Sequence, residues 1–366
     1  MHRSSESASA CCQCTSVARR LHIGTIAHSV PMTMPRLSRQ LMLVPFVLVL
    51  AWGCDRKLPE SSPTAPSVTA ATAERFQETD TSYRSTTAGR VVAIGDLHGD
   101  LEATRRALRT AGVIDDKDGW SGGTTVVVQT GDVLDRGDDE RAILDMFERL
   151  NEDAKKLGGA VRVLLGNHEV MNVQGDMRYV TRGGFTTFEN VNSPHNPSLA
   201  SRYQQHERAR VLAFAPGGPY ARRLAQLDTV VMVNDTLFVH GGVLAKHVRY
   251  GLGTINREVK DWMRGDGSKL PAVMSADDAP TWNRRYSFDN PSAEDCRALS
   301  AALELLGAKR MVVGHTPQKN GISSACGDRV WRIDVGLASH YGASPVQVLE
   351  MEGNQVRVLR EQRSER

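Results

Sequence analysis

The sequence predicts an α/β fold in which buried parallel strands deliver polar side chains at their carboxyl ends. Three observations carry this reading. Short apolar, β-branched runs recur at VVAI (91–94), TTVVVQT (124–130) and VRVLL (161–165). Each ends abruptly in glycine plus acidic, amide or imidazole residues: GDLHGD (95–100), GDVLDRGDD (131–139) and GNHE (166–169). Helical spacing follows at least the first two, over 101–111 and 140–157.

Composition narrows the class further. A chain of 366 residues fits one large domain or two ordinary ones. With 40% hydrophobic and 24% charged residues, wholesale disorder, collagen and coiled coil are excluded. Six cysteines are too few for a disulfide scaffold. A mean hydropathy of −0.33 excludes a polytopic membrane protein. The net charge of +3 is uneven: residues 1–53 hold five Arg and one Glu, which leaves 40 basic and 41 acidic residues for the rest. A near-neutral body gives no electrostatic reason to expect nucleic acid as a partner.

From the start, residues 1–53 read as a presequence. A basic patch, RLSR (36–39), precedes the uncharged run LMLVPFVLVLAWG (41–53). The run is short for a bilayer span and suits a signal-peptide core. Gly53 then precedes Cys54, an order resembling a bacterial lipoprotein signal, although the bulky Trp52 departs from the usual box. The expected location is therefore the cell envelope, with a lipid on Cys54 as membrane anchor, or secretion. Met32 and Met34 are alternative starts, which would leave Cys11, Cys12 and Cys14 without a role. Residues 54–89 are expected to be a linker, with PESSPTAPSVTAATA (59–73) too poor in large apolar groups to order itself. The folded domain is expected over 90–360, starting near Arg90.

The strand-end device returns in LFVHGG (237–242) and MVVGHTP (311–317). Five strand ends thus deliver Asp96, His98, Asp132, Asn167, His168, His240 and His315. Carboxylates, imidazoles and one amide, with no thiolate, suit hard or borderline divalent metals; Mn, Fe and Zn all accept them. One carboxylate, Asp132, is placed to bridge two ions, an arrangement that activates water and clamps phosphate. A single such motif is weak; five at successive strand ends with compatible ligand types are not.

These motifs resemble the calcineurin-type metallophosphoesterases. Within them, GDxHG, GDxxDRG, GNHE and HGG together are similar to the phosphoprotein phosphatase group, and all are present without substitution. GNHEVMNVQGDMRYV (166–180), GHTPQ (314–318) and WRIDVG (331–336) resemble the Shewanella-like phosphatase branch. The resemblance covers roughly residues 90–350. It implies a sandwich of two mixed β-sheets flanked by helices, with a small, partly helical cap insertion over 181–229. By motif position it implies one metal at Asp96, His98 and Asp132, and a second at Asp132, Asn167, His240 and His315. It implies in-line attack by a hydroxide bridging the metals, His168 as general acid oriented by Asp135, and phosphate binding by Arg136. A second phosphate-binding arginine is expected in TWNRRYSF (281–288); Arg284 fits by its spacing from Trp282, with Arg285 as competitor. Relatives of nuclease or phosphodiesterase type often end in GHxH; here Pro317 stands in that place, which favours the phosphatase arrangement.

Several features stay open at this level. Glu169 is at least as suited to holding GNHE as to chemistry, and Arg178 is near the site only by sequence. Tyr179, Phe185 and Phe188 fit either a substrate cleft or core packing. Cys296 and Cys326 would pair in an oxidising compartment or be buried thiols. The implied substrate is a phosphorylated protein (Ser/Thr or Tyr) or a small phosphomonoester. The competing functions are hydrolysis of diadenosine tetraphosphate or a related nucleotide anhydride, and a catalytically inactive envelope lipoprotein used for binding.

Overall fold

A computed structural model describes residues 79–266, 269–288, 290–342 and 344–362. The basic patch, the apolar run, Cys54 and the Pro/Ser/Thr-rich stretch lie outside the described residues.

In chain order the elements are β1 (Arg84–Ser85), β2 (Val91–Ile94), α1 (Leu101–Thr110), β3 (Val126–Gln129), α2 (Glu140–Lys156), β4 (Ala160–Val163) and α3 (Asn167–Gln174). Four short helices follow: α4 (Arg182–Thr186), α5 (Pro197–Ala200), α6 (Arg208–Phe214) and α7 (Pro219–Leu224). Then come β5 (Val230–Val233), β6 (Thr236–Val239), α8 (Ala245–Tyr250), α9 (Leu252–Arg264) and α10 (Ala293–Leu306). The chain closes with β7 (Arg310–Val313), β8 (Ser323–Ala325), β9 (Val330–Arg332), β10 (Gln347–Glu352) and β11 (Gln355–Arg360).

The strands form two mixed sheets. One has the order β11-β10-β2-β3-β4, the other β1-β5-β6-β7-β9-β8. In the first, β2, β3 and β4 run parallel, with Val92 opposite Val127 and Val127 opposite Val161. In the second, β6, β7 and β9 run parallel, with Phe238 opposite Val312. The five strand ends anticipated from sequence are therefore shared between the sheets: those of β2, β3 and β4 in one, those of β6 and β7 in the other. These central strands are buried along most of their length, as continuous β-branched runs require when both faces are covered. Val92, Val127, Phe238, Val312 and Leu349 belong to one core cluster, into which α1 projects Ala107 and Leu108 and α2 projects Ile143 and Leu150.

β2, β3, β4 and β6 each give way to a helix just past the polar motif, whereas β7 is followed by a loop and β8. Asp100 caps α1 by accepting from the Ala103 amide at 2.8 Å. The order begins earlier than the Arg90 expected from sequence: Tyr83 is buried, and β1 adds to the sheet edge beside β5. A two-residue strand has no hydrophobic period to read.

Among the described residues no helix is long and apolar enough to cross a membrane. Cys296 on α10 and Cys326 in the β8–β9 turn are disulfide-bonded, with Cα atoms 5.3 Å apart. The bridge spans 30 residues of chain. Closing a loop of that length removes about 3–4 kcal/mol of unfolded-state entropy in the chain-entropy model. Replacing both cysteines by serine is expected to lower the melting temperature by roughly 10 °C. Thermal melts of wild type with and without reductant, beside the double variant, check this; an unchanged melt would show that the bridge does not constrain the unfolded chain.

Candidate active site

The left-handed backbone explains how the strand ends aim their side chains. His98 (φ 46°), Asp132 (φ 57°), Asp135 (φ 69°), Arg136 (φ 67°) and His315 (φ 68°) all occupy a region that non-glycine residues visit rarely. Each strand therefore turns sharply as it leaves the sheet. Close backbone approach makes the turns possible: a Cβ on Gly166 would collide with the Asp132 carboxylate. Glu169 holds two of these turns together. Its buried carboxylate accepts from the amides of Asp132 (2.9 Å), Val133 (2.9 Å), Leu134 (3.1 Å) and Gly166 (2.7 Å). The structural role that the sequence left open for Glu169 is thus its observed one. Arg178 points to solvent and pairs with Asp176.

The predicted donors converge. His98, Asp132 and His168 form one group whose candidate ligand atoms lie within 4.8 Å of each other; Asp132, His240 and His315 form a second. Asp132 belongs to both groups. Asn167 joins the second group, its Oδ1 lying 2.9 Å from His240 Nε2. Asp96 is buried beside them and accepts from the His315 amide at 3.1 Å.

The imidazoles are oriented from behind. His98 Nδ1 donates to the Leu134 carbonyl at 3.1 Å, and His240 Nδ1 to the Thr130 carbonyl at 2.9 Å. That leaves each Nε2 as a lone pair facing the cluster, the arrangement that suits a metal ligand. His240 Nε2 then meets Asn167 Oδ1, His315 Nδ1 at 3.1 Å and Asp132 Oδ2 at 3.3 Å. Such a convergence of acceptors suits a cation.

The electrostatics point the same way. Burial pushes His98 down to about 3. Burial, then His240 and the Arg284 cation, hold His315 well below the usual histidine range. Both imidazoles are therefore neutral at pH 7. Burial, then Asp334 and Asp132, push the Asp96 carboxyl well up. Asp334 is also driven up, to about 6, chiefly by burial, and its Oδ2 is buried without a hydrogen-bond partner. Buried carboxyls crowded against neutral imidazoles fit a site for divalent cations.

His168 differs from the other imidazoles. Its Nδ1 lies 2.6 Å from Asp135 Oδ2. Burial works to lower its pKa, but Asp132 and Asp135 outweigh that, so it titrates above an ordinary histidine. Its Nε2 is 3.3 Å from Arg136 Nη2. The Arg136 guanidinium lies between the rings of Tyr179 and Tyr341, at 5.1 and 5.2 Å, and its Nε is a buried donor without a partner. The Tyr341 hydroxyl accepts from Arg136 Nη1 and stands 3.2 Å from His98 Nε2.

The two candidate arginines of 281–288 separate cleanly. Arg285 is committed to Asp295 and Glu294 on α10. Arg284 is exposed; partial shielding of its guanidinium lowers its pKa, while Asp132 and Asp96 work to raise it. Trp282 packs edge-on against His315 at 5.7 Å, which fixes the start of this loop. Arg284→Ala is expected to weaken inhibition by inorganic phosphate about tenfold, and Arg285→Ala by less than about twofold, as a charge-assisted contact is worth ~1.5–3 kcal/mol. Phosphate titrations of the two variants check the assignment.

Of the aromatics left open, Phe188 is fully buried and Phe185 nearly so, while Tyr179 is 41% exposed beside His168, with ring centroids 5.0 Å apart. Sequence reasoning missed Asp334, Tyr341 and Asn172. Asp334 lay within WRIDVG, so the motif held a signal that was not converted into a role. Tyr341 carried none.

Two mixed sheets whose strand ends gather such a donor set define a metallophosphoesterase with room for two divalent ions. The family model described as calcineurin-like phosphoesterase matches residues 89–319, and the chain belongs to that family. It is a hydrolase of the phosphatase class. It is similar to the Shewanella-like protein phosphatase 2 of Arabidopsis thaliana, 41% identical over 292 residues that cover 72% of this chain and 75% of the plant protein. It is also similar to the Shewanella-like protein phosphatase 1 of Plasmodium berghei, 29% identical over 281 residues, or 74% of each chain. Among solved structures, a cold-active protein-tyrosine phosphatase of a psychrophilic Shewanella species superposes with a TM-score of 0.62 at 23% identity, over 76% of this chain and 82% of that one. A likeness at that identity bears on the fold.

Proposed function

We propose that the protein is a phosphomonoesterase acting on phosphorylated proteins, with His168 as the general acid. The observation that carries this is the His168–Asp135 contact at 2.6 Å beside the Arg136 guanidinium. Asp135 holds the ring by Nδ1, which leaves Nε2 to deliver a proton to the departing oxygen. Arg136 and Arg284 would offer planar donor forks to the phosphate oxygens. Asp96, His98, Asp132, Asn167, His240 and His315 would hold two divalent ions, which supply activation of water and charge neutralisation on phosphate. A cleft of about 550 Å³, lined by Arg136, Asp138, Arg182 and Ser339 among others, leads away from Arg136 and gives a peptide room to lie.

The reading extends to location. The presequence pattern up to Cys54 and a disulfide in the body both favour an oxidising envelope compartment, with a lipid at Cys54 as anchor.

Phosphate release by the full-length protein tests the activity, with and without Mn²⁺. The substrates would be p-nitrophenyl phosphate, phosphoserine, phosphothreonine and phosphotyrosine peptides, and diadenosine tetraphosphate. Metal-dependent release from peptides is expected. Preference for the dinucleotide would replace this reading with an anhydride hydrolase. Bound metal without turnover on any substrate would leave the binding lipoprotein.

A further inference from the structure

Arg210 lies in the segment between the metal-site motifs, on α6, in a stretch rich in charged residues (ERARVLAF, 207–214). Such an arginine would ordinarily be solvated. Here it is completely buried and is the largest fully buried side chain among the described residues.

Every N–H of its guanidinium is used. Nε donates to Asn172 Oδ1 at 2.9 Å. Nη1 donates to Glu140 Oε2 at 2.5 Å and to the Gly184 carbonyl at 2.9 Å. Nη2 donates to Glu140 Oε1 at 2.8 Å and to Asp135 Oδ1 at 3.3 Å. The rings of Phe188 and Phe214 lie against it at 4.7 and 5.0 Å. Burying a guanidinium and two carboxylates costs several kcal/mol per ion before pairing is counted. Packed apolar side chains would hold α2 and α6 together at lower cost, so adhesion between helices does not account for the arrangement.

What it does account for is the geometry of Asp135. That residue sits in the left-handed region, where nothing intrinsic holds it. Its amide donates to Glu140 Oε1 at 2.5 Å, and its Oδ1 accepts from Asn172 Nδ2 at 2.9 Å as well as from Arg210. With one carboxylate oxygen fixed by two donors, the other is presented to His168 Nδ1 in a single orientation.

We propose that Arg210 is a positioning residue for proton delivery: with Glu140 and Asn172 it locks the Asp135 carboxylate that aims His168, and so makes the insertion part of the catalytic apparatus. This rests on the reading of His168 as the general acid.

The test is leaving-group dependence, which a merely structural role would not move. Turnover would be measured on p-nitrophenyl phosphate, phenyl phosphate and a phosphoserine peptide. The proteins would be the full-length wild type, Arg210→Lys, the double variant Glu140→Gln/Arg210→Met, and His168→Asn as reference. Arg210→Lys keeps the charge and loses the fork; the double variant removes the ion pair as a whole, the change that buried pairs tolerate best. Part of a general acid's ~10²–10⁴-fold contribution should be lost. We expect the phosphoserine peptide to slow on the order of tenfold or more and p-nitrophenyl phosphate by less than about twofold.

Equal slowing across the series in a folded Arg210 variant, with His168→Asn selectively impaired on the poor leaving groups, would overturn the proposal and leave Arg210 structural. No selectivity in His168→Asn itself would overturn the general-acid reading instead. Should both Arg210 variants melt below the assay temperature, Asn172→Leu cuts the second tie to Asp135 and must show the same selectivity; an unchanged series in it refutes the network.

Discussion

Asp132→Asn is expected to reduce phosphatase turnover by at least about a thousandfold, or roughly 4 kcal/mol of transition-state stabilisation, without unfolding the protein. The carboxylate is the one donor common to both ligand groups. Its Oδ2 lies 3.3 Å from His240 Nε2 and 3.8 Å from both His98 Nε2 and His168 Nε2. Burial works to raise its pKa, but His240 and His168 hold it well below the usual range. An amide offers one acceptor oxygen and no charge, so it cannot serve two cations. Metal content per protein, measured after dialysis alongside activity and circular dichroism, checks the claim. A variant that keeps two equivalents of metal and wild-type turnover would remove Asp132 from its bridging place.

His168→Asn is expected to behave differently. It should retain bound metal and lose ~10²–10⁴-fold in rate on poor leaving groups. The loss on p-nitrophenyl phosphate should be much smaller, because nitrophenolate departs without help. Proximity alone would also permit His168 as a ligand, since its Nε2 falls within the first donor group. The 2.6 Å contact with Asp135 and its raised pKa argue for proton transfer instead. Metal analysis of this variant decides: loss of an equivalent would make His168 a ligand and end the general-acid assignment.

The parts of the molecule that were legible share a physical cause. The candidate metal donors sit where the backbone turns out of a buried sheet, so each is written beside a run of Val, Ile or Leu that betrays the strand. Asp96, His98, Asp132, Asn167, His240 and His315 all follow that rule. β2, β3 and β4 and the helices after the first two of them were visible for the same reason, as the expected helix at 140–157 and α2 at Glu140–Lys156 illustrate. What escaped depends on long-range contact. Arg210 meets Asp135 across 75 residues and Tyr341 meets His98 across 243, and local pattern carries no trace of either. Arg210 was further disguised because hydrophobic periodicity treats every arginine as surface. The two mixed sheets came from family resemblance, but which strand ends fall in which sheet did not, since spacing alone does not say which strands pair. The choice between Arg284 and Arg285 needed the acidic residues on α10, whose approach to the loop no motif records.

The left-handed turns at the site have an evolutionary corollary. Apart from glycine, the residues that tolerate such a backbone best are Asn, Asp and His. Drift at positions 98, 132 and 315 that preserves the shape is therefore channelled among these three types. Exchanges between them alter charge and proton chemistry while leaving the chain path intact. Asparagine at position 132 would thus keep the turn while removing the charge shared by both candidate ligand groups.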